Sequence, residues 1–95
     1  MKVYLDNAAT TPLDEAVLKE MLPYMGEVFG NAASMHSWGR EANKAVERAR
    51  AQVAAAIGAR ADEIYFTSGA TEANNWAVLG RKNVVISAIE HPSLI

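Results

Sequence analysis

Residues 63–89 read EIYFTSGATEANNWAVLGRKNVVISAI, and their order constrains the fold more than any other stretch of the chain. A β-rich run at 63–68 leads into a helix over 70–80 that ends at Gly80, and a near-continuous apolar strand follows at 84–89. Strand, helix and apolar strand in that order predict a βαβ unit, parallel and right-handed. A parallel sheet is buried on both faces and built from several strands. The chain offers one more short strand, VYL at 3–5, and its closing EHPSLI places Pro92 at the first turn of a helix that goes no further. Its 95 residues suffice for one small domain, so they read as α/β and as the front of a larger α/β domain.

Ahead of that unit the pattern is helical. VYL meets DNAATTP, a turn-forming stretch. Asp14 is placed to cap a helix whose apolar face is Val17, Leu18, Met21, Leu22 and Met25, and Pro23 should kink or end it. Residues 26–39, with three glycines and no clean period, read as an irregular loop. A long helix is predicted from about 38 to 57, with Ala42, Ala45, Val46, Ala49, Val53, Ala56 and Ile57 in one stripe and Gly58 as its stop. A stripe so rich in alanine calls for a close-packed neighbour.

Composition excludes several functions. With 51% hydrophobic and 21% charged residues the chain is globular, and nine basic against eleven acidic residues give no surface for nucleic acid or an anionic membrane. The absence of cysteine removes disulfides, thiolate metal sites and a cysteine nucleophile. His36 and His91 are too far apart for a metal pair, so no metal site is expected. MKVYLDN reaches Asp6 after three apolar residues, which is short of a signal-peptide core, so a soluble cytoplasmic protein is expected.

Two places carry chemistry. The turn Thr67–Thr71 joins strand to helix, and a helix start offers unpaired N–H groups and partial positive charge to a phosphate. Gly69 would admit a close approach there, with the Ser68 and Thr71 hydroxyls as further donors; the alternative is a plain turn capped by Ser68 or Thr67. His91 stands just past the second strand, at the carboxyl edge where α/β sheets bind ligands. It could stack on a ring or exchange protons, or be a surface histidine in a turn. Glu90 reads as solvated, His36 as a loop residue, Asn7 and Asn31 as backbone-serving turn residues, and Trp38 and Trp76 as core.

Taken together, YLDNAATTPLDEAV, FGNAASMHSWGREA, EIYFTSGATEANNWA and AIEHPSLI, in this order, resemble the N-terminal part of the pyridoxal-phosphate-dependent cysteine desulfurases, in the class V branch of the fold-type I aminotransferases. The resemblance covers essentially the whole chain and about the first quarter of a typical family member. It implies a short arm and two helices over 1–60 and the start of the large cofactor-binding α/β domain over 61–95. It places Ala70 and Thr71 on the cofactor phosphate, with Gly69 and Ser68 shaping the cradle. His91 becomes the residue stacked on the pyridine ring and a candidate proton carrier. Asn7 and Ala8 become weaker candidates for the substrate side of the pocket, and residues 30–34 organise the active-site region near a dimer interface.

The implied reaction converts L-cysteine to L-alanine and an enzyme-bound persulfide, passed on to iron–sulfur cluster assembly or another sulfur acceptor, in an enzyme that is a homodimer when complete. Three family features have no counterpart. The Schiff-base lysine sits in an HK motif that Lys2, Lys19, Lys44 and Lys82 do not match, and the persulfide cysteine and the aspartate for the pyridine nitrogen are missing. The chain alone is therefore expected to be inactive, as a truncated product, a fragment or one piece of a split protein. The alternatives are another class V enzyme, such as a selenocysteine lyase or an aminotransferase, and a non-catalytic fragment that associates with a partner chain.

Overall fold

The computed structural model describes residues 1–94. It contains three α-helices, α1 (Glu15–Met21), α2 (Ser37–Ile57) and α3 (Ala70–Val78), with 3-10 turns at Leu22–Met25, Ala61–Glu63 and Pro92–Leu94. The chain divides into two compact units, the first Met1–Gln52 and the second continuing from Val53.

In the first unit α1 begins where Asp14 accepts hydrogen bonds from the amides of Ala16 at 2.8 Å and Val17 at 3.4 Å, the predicted cap. Such a cap is worth about 1 kcal/mol. Pro23 ends the α-helical bonding as expected, and the chain tightens into the 3-10 turn Leu22–Met25. Arg48 of α2 donates to the Tyr24 hydroxyl at 2.9 Å and ties this turn to α2. Along α2, Ala42, Ala45, Val46 and Ala49 of the alanine stripe face an open groove of about 1020 Å³, whose other wall includes Ala16, Val17, Met21 and Tyr24.

The loop before α2 is more ordered than its glycines suggested. Asn31 serves the backbone: its side chain accepts from Ala33 N–H at 2.9 Å and its carbonyl from Ser34 N–H at 2.9 Å. His36 then opens α2, its Nδ1 accepting from Gly39 N–H at 3.2 Å and its carbonyl from Arg40 N–H at 3.0 Å. The loop lies so close that a Cβ on Gly39 would run into the carbonyl oxygens of Ser34 and Asn31, and one on Gly30 into the Trp38 backbone.

In the second unit α2 ends in a Schellman motif. Gly58 takes φ +69°, Ala59 N–H reaches the Ala54 carbonyl at 2.9 Å, and Gly58 N–H reaches Ala55 at 3.5 Å. The turn Ala61–Glu63 follows, its entry fixed by Arg60 N–H donating to the Glu63 carboxylate at 2.8 Å. Helix α3 packs against the 3-10 turn Pro92–Leu94.

Two expectations are corrected. No strand is present among the described residues, so the βαβ unit drawn from 63–68 and 84–89, and the arm strand at 3–5, are not formed here. Glu63 is taken into the 3-10 turn, and Ile64 leaves it with extended dihedrals. A strand exists only by the hydrogen bonds a neighbouring strand supplies, and a βαβ pair is too small a sheet to hold itself together. The core is equally slight: among the described residues the buried apolar side chains are Ala42 and Ala54, while Val85 and Ile89 are 98% and 93% exposed. Trp38 and Trp76, read as core, are both more than half exposed and lean on Phe29 and Tyr65 at ring-centroid distances of 5.2 and 5.3 Å.

Replacing a helical glycine by alanine ordinarily stabilises by about 0.5–1 kcal/mol. At Gly39 the collision with two backbone carbonyls outweighs that gain, since overpacking costs roughly 1–3 kcal/mol. Gly39→Ala should therefore lower the urea midpoint of unfolding; an unchanged or raised midpoint contradicts the close approach.

Candidate functional site

Among the described residues, the start of α3 has a capping residue with no side chain to offer. Gly69 is the N-cap, with extended backbone and no side-chain cap bond. Neither Ser68 nor Thr67 caps the helix, contrary to the plain-turn alternative: the Thr67 hydroxyl donates to the Gly69 carbonyl at 3.1 Å. The helical bonding begins with Ala73 N–H on the Gly69 carbonyl at 3.1 Å, so the amides of Ala70, Thr71 and Glu72 precede it. Around Gly69 a Cβ would meet nothing within 4 Å, which leaves space in front of these donors.

Glu72 settles what Ser68 does. Its carboxylate turns back and accepts from both the Ser68 amide and the Ser68 hydroxyl, each at 2.7 Å. The Ser68 amide, and then its hydroxyl, hold the Glu72 carboxyl below the usual glutamate range. Ser68 is thus committed within the chain, and the amides of Ala70, Thr71 and Glu72 remain at the helix start.

His91 is brought to α3 by hydrogen bonds rather than by burial. Asn74 Nδ2 donates to Ser93 Oγ at 2.8 Å, Ser93 Oγ lies 3.0 Å from His91 Nδ1, and Ser93 N–H donates to the same Nδ1 at 3.2 Å. Ala70 and Thr71 precede Asn74 by four and three residues, so they share its face of the helix. Gly69, Ala70, Thr71 and His91 all fall in the second unit. Asn7 and Ala8 lie in the first, both exposed, in a turn where the Asp6 carbonyl accepts from Ala9 N–H at 3.1 Å. Glu72, Asn74 and Ser93 were not singled out from the sequence. The signal for Glu72 was present in its spacing from Ser68, close to that of a capping box; nothing local marks a bond between residues 74 and 93. Among the described residues no group of three or more side chains is arranged to hold a metal ion.

The family model described as aminotransferase class-V matches residues 3–95, and the chain belongs to that family. It is 50% identical over 101 residues to a cysteine desulfurase of Sinorhizobium fredii, covering 98% of this chain and 26% of that one. The cysteine desulfurase IscS of Methanosarcina thermophila is 45% identical over 101 residues, covering 98% and 25% of the two chains. That of Neisseria meningitidis is 57% identical over 82 residues, covering 85% and 20%. The chain therefore spans about a quarter of the length of the curated relatives it matches.

The Glu72 contact is pH-dependent in a definite direction. A carboxyl whose folded pKa is lowered stabilises the fold fully above its ordinary unfolded value, and the contribution is lost as pH falls through the lower folded one. The Ser68 amide proton resonance should shift over that acidic range, and Glu72→Gln should abolish the shift. A Ser68 resonance that titrates equally in both proteins excludes the contact.

Proposed function

We propose that this chain forms part of a pyridoxal-phosphate-dependent cysteine desulfurase of the cytoplasm, with the start of α3 as its phosphate seat. The observation that carries the reading is the pairing, within one unit, of an uncapped helix start with a histidine tethered to the same helix. The donors fit a phosphate monoester: the Ala70 and Thr71 amides open the helix beside the uncrowded Gly69, the Thr71 hydroxyl belongs to the same turn, and the helix end adds partial positive charge. Ser68 contributes by keeping Glu72 turned away from those donors rather than by touching the ligand.

In this reading Ala70 and Thr71 bind the phosphate, His91 stacks on the pyridine ring, and Asn7 and Ala8 line the substrate side in the assembled protein. Bound pyridoxal phosphate supplies the electron sink, and the protein supplies orientation and charge. The substrate is L-cysteine, which leaves as L-alanine while its sulfur passes as a persulfide toward iron–sulfur assembly. The whole protein is a homodimer of fold type I. In it residues 1–60 form the arm and helices, residues 61–95 open the large domain, and 63–68 and 84–89 serve as parallel strands. The lysine and cysteine that this chemistry needs lie outside the four lysines and cysteine-free sequence of this chain, so the 95 residues alone are inactive. Support comes from the cysteine desulfurase relatives and from the donor set at α3.

Equilibrium dialysis tests the seat itself. The chain should retain pyridoxal phosphate more tightly than pyridoxal, which lacks the phosphate. Thr71→Ala should weaken retention by about 1 kcal/mol or more, the scale of a charge-assisted hydrogen bond. Equal retention of the two ligands, or no loss in the variant, removes the phosphate assignment.

The exposed apolar side chains favour a second reading, in which the chain associates through residues 84–89 with a partner chain. Sedimentation of the isolated chain should then show oligomers, and a cooperatively folding monomer rules this reading out.

A further inference from the structure

The bonds around Ser93 determine more than where His91 sits. The Ser93 amide can only donate, so His91 Nδ1 must accept, and the neutral ring carries its proton on Nε2. With Nδ1 an acceptor, the Ser93 hydroxyl donates its single proton to the ring. Its oxygen must then accept from Asn74, which fixes the Asn74 amide with Nδ2 toward Ser93. The reverse amide orientation would ask one hydroxyl proton to serve two acceptors. The three side chains therefore have one consistent polarity: Asn74 donates to Ser93, and Ser93 donates to His91.

We propose that Asn74 and Ser93 are positioning residues that hold His91 as its Nε2-protonated tautomer, with Nε2–H as the ring's uncommitted donor. The functional weight of this inference rests on the role given to His91 above. Two donors converge on Nδ1, which directs the proton of the neutral ring to Nε2. His91 meets a ligand as a hydrogen-bond donor through Nε2. A ring in solution has neither constraint and rotates freely about its side-chain bonds. Asn74 extends the control into α3: it lies on the helical face of Ala70 and Thr71, so the helix that offers amides to a phosphate also sets the tautomer of the histidine.

Long-range proton–nitrogen NMR of the labelled 95-residue chain, at a pH well above the ordinary imidazole range, reads the tautomer directly. In the native chain His91 Nδ1 should resonate as an unprotonated nitrogen and Nε2 as a protonated one. Ser93→Ala should lower the ratio of Nε2–H to Nδ1–H tautomer by about fivefold, as for the loss of one ordinary hydrogen bond. Ser93→Thr keeps the hydroxyl and should restore the native ratio. Asn74→Asp substitutes an acceptor for the donor and draws the Ser93 hydroxyl proton off the ring, so it should move the ratio in the same direction as Ser93→Ala. A native ring averaged between tautomers, a Ser93→Ala spectrum unchanged at His91, or a Ser93→Thr variant that behaves like Ser93→Ala overturns the proposal. No cofactor is in the sample, so a chain that fails to retain pyridoxal phosphate yet shows the tautomer shift refutes the phosphate seat and leaves this inference standing.

Discussion

The helices α1, α2 and α3 must each dispose of the amides that a first turn leaves without partners, and they do so differently. At α1 the Asp14 carboxylate takes two of them. Before α2 the His36 ring nitrogen takes one, with the loop pressed close enough that Gly39 has no room for a side chain. At α3 the cap is Gly69, and the carboxylate nearest in sequence is drawn back to Ser68. The two capped starts are closed by the chain itself; the third is left with donors and space. The candidate site is a consequence of that difference, and it depends on the Ser68–Glu72 contact remaining made.

The missing sheet belongs to a different scale of interaction. Residues 84–89 carry side chains suited to burial on both faces of a sheet, yet Val85 and Ile89 stand almost wholly in solvent. Full burial of such a side chain is worth about 1.5–3 kcal/mol, roughly twice the net contribution of about 1 kcal/mol from an ordinary hydrogen bond. Local capping shapes helices but cannot substitute for that gain, since a strand needs a partner backbone as well as a covered face. These residues leave apolar surface uncovered in the second unit.

Legibility in the sequence followed the range of the interaction. The Asp14 cap, the Pro23 break, the span of α2, its Gly58 stop and the start of α3 all depend on residues within a turn of one another, and each stands in the structure where its local chemistry indicated. His36 reads as a loop residue in the sequence because it has no partner at metal-ligand spacing; its Nδ1 acceptor becomes visible only with the close-packed loop. Trp38 and Trp76 read as core from their places on or beside helix faces, but burial needs a partner surface, and each leans on a ring. The sheet failed for the same reason: strand propensity is a preference for a half-buried pleated surface, and here that surface has nothing to complete it. The tie between Asn74 and Ser93 spans nineteen positions and leaves no periodic or spacing signal.

That long tie links the two halves of the site energetically. His91 is exposed, so its orientation rests on hydrogen bonds open to competition from water, each worth about 1 kcal/mol net. Those bonds hold only while the second turn of α3 is helical, because Asn74 must stay in place to donate. An anion at the first turn binds the helical form and not the frayed one, so by linkage it stabilises the helix and with it the Asn74–Ser93–His91 chain. By the same linkage an ordered His91 would favour the helical start to which an anion would bind. The two features need no contact with each other to reinforce one another, because both draw on the same nine-residue helix.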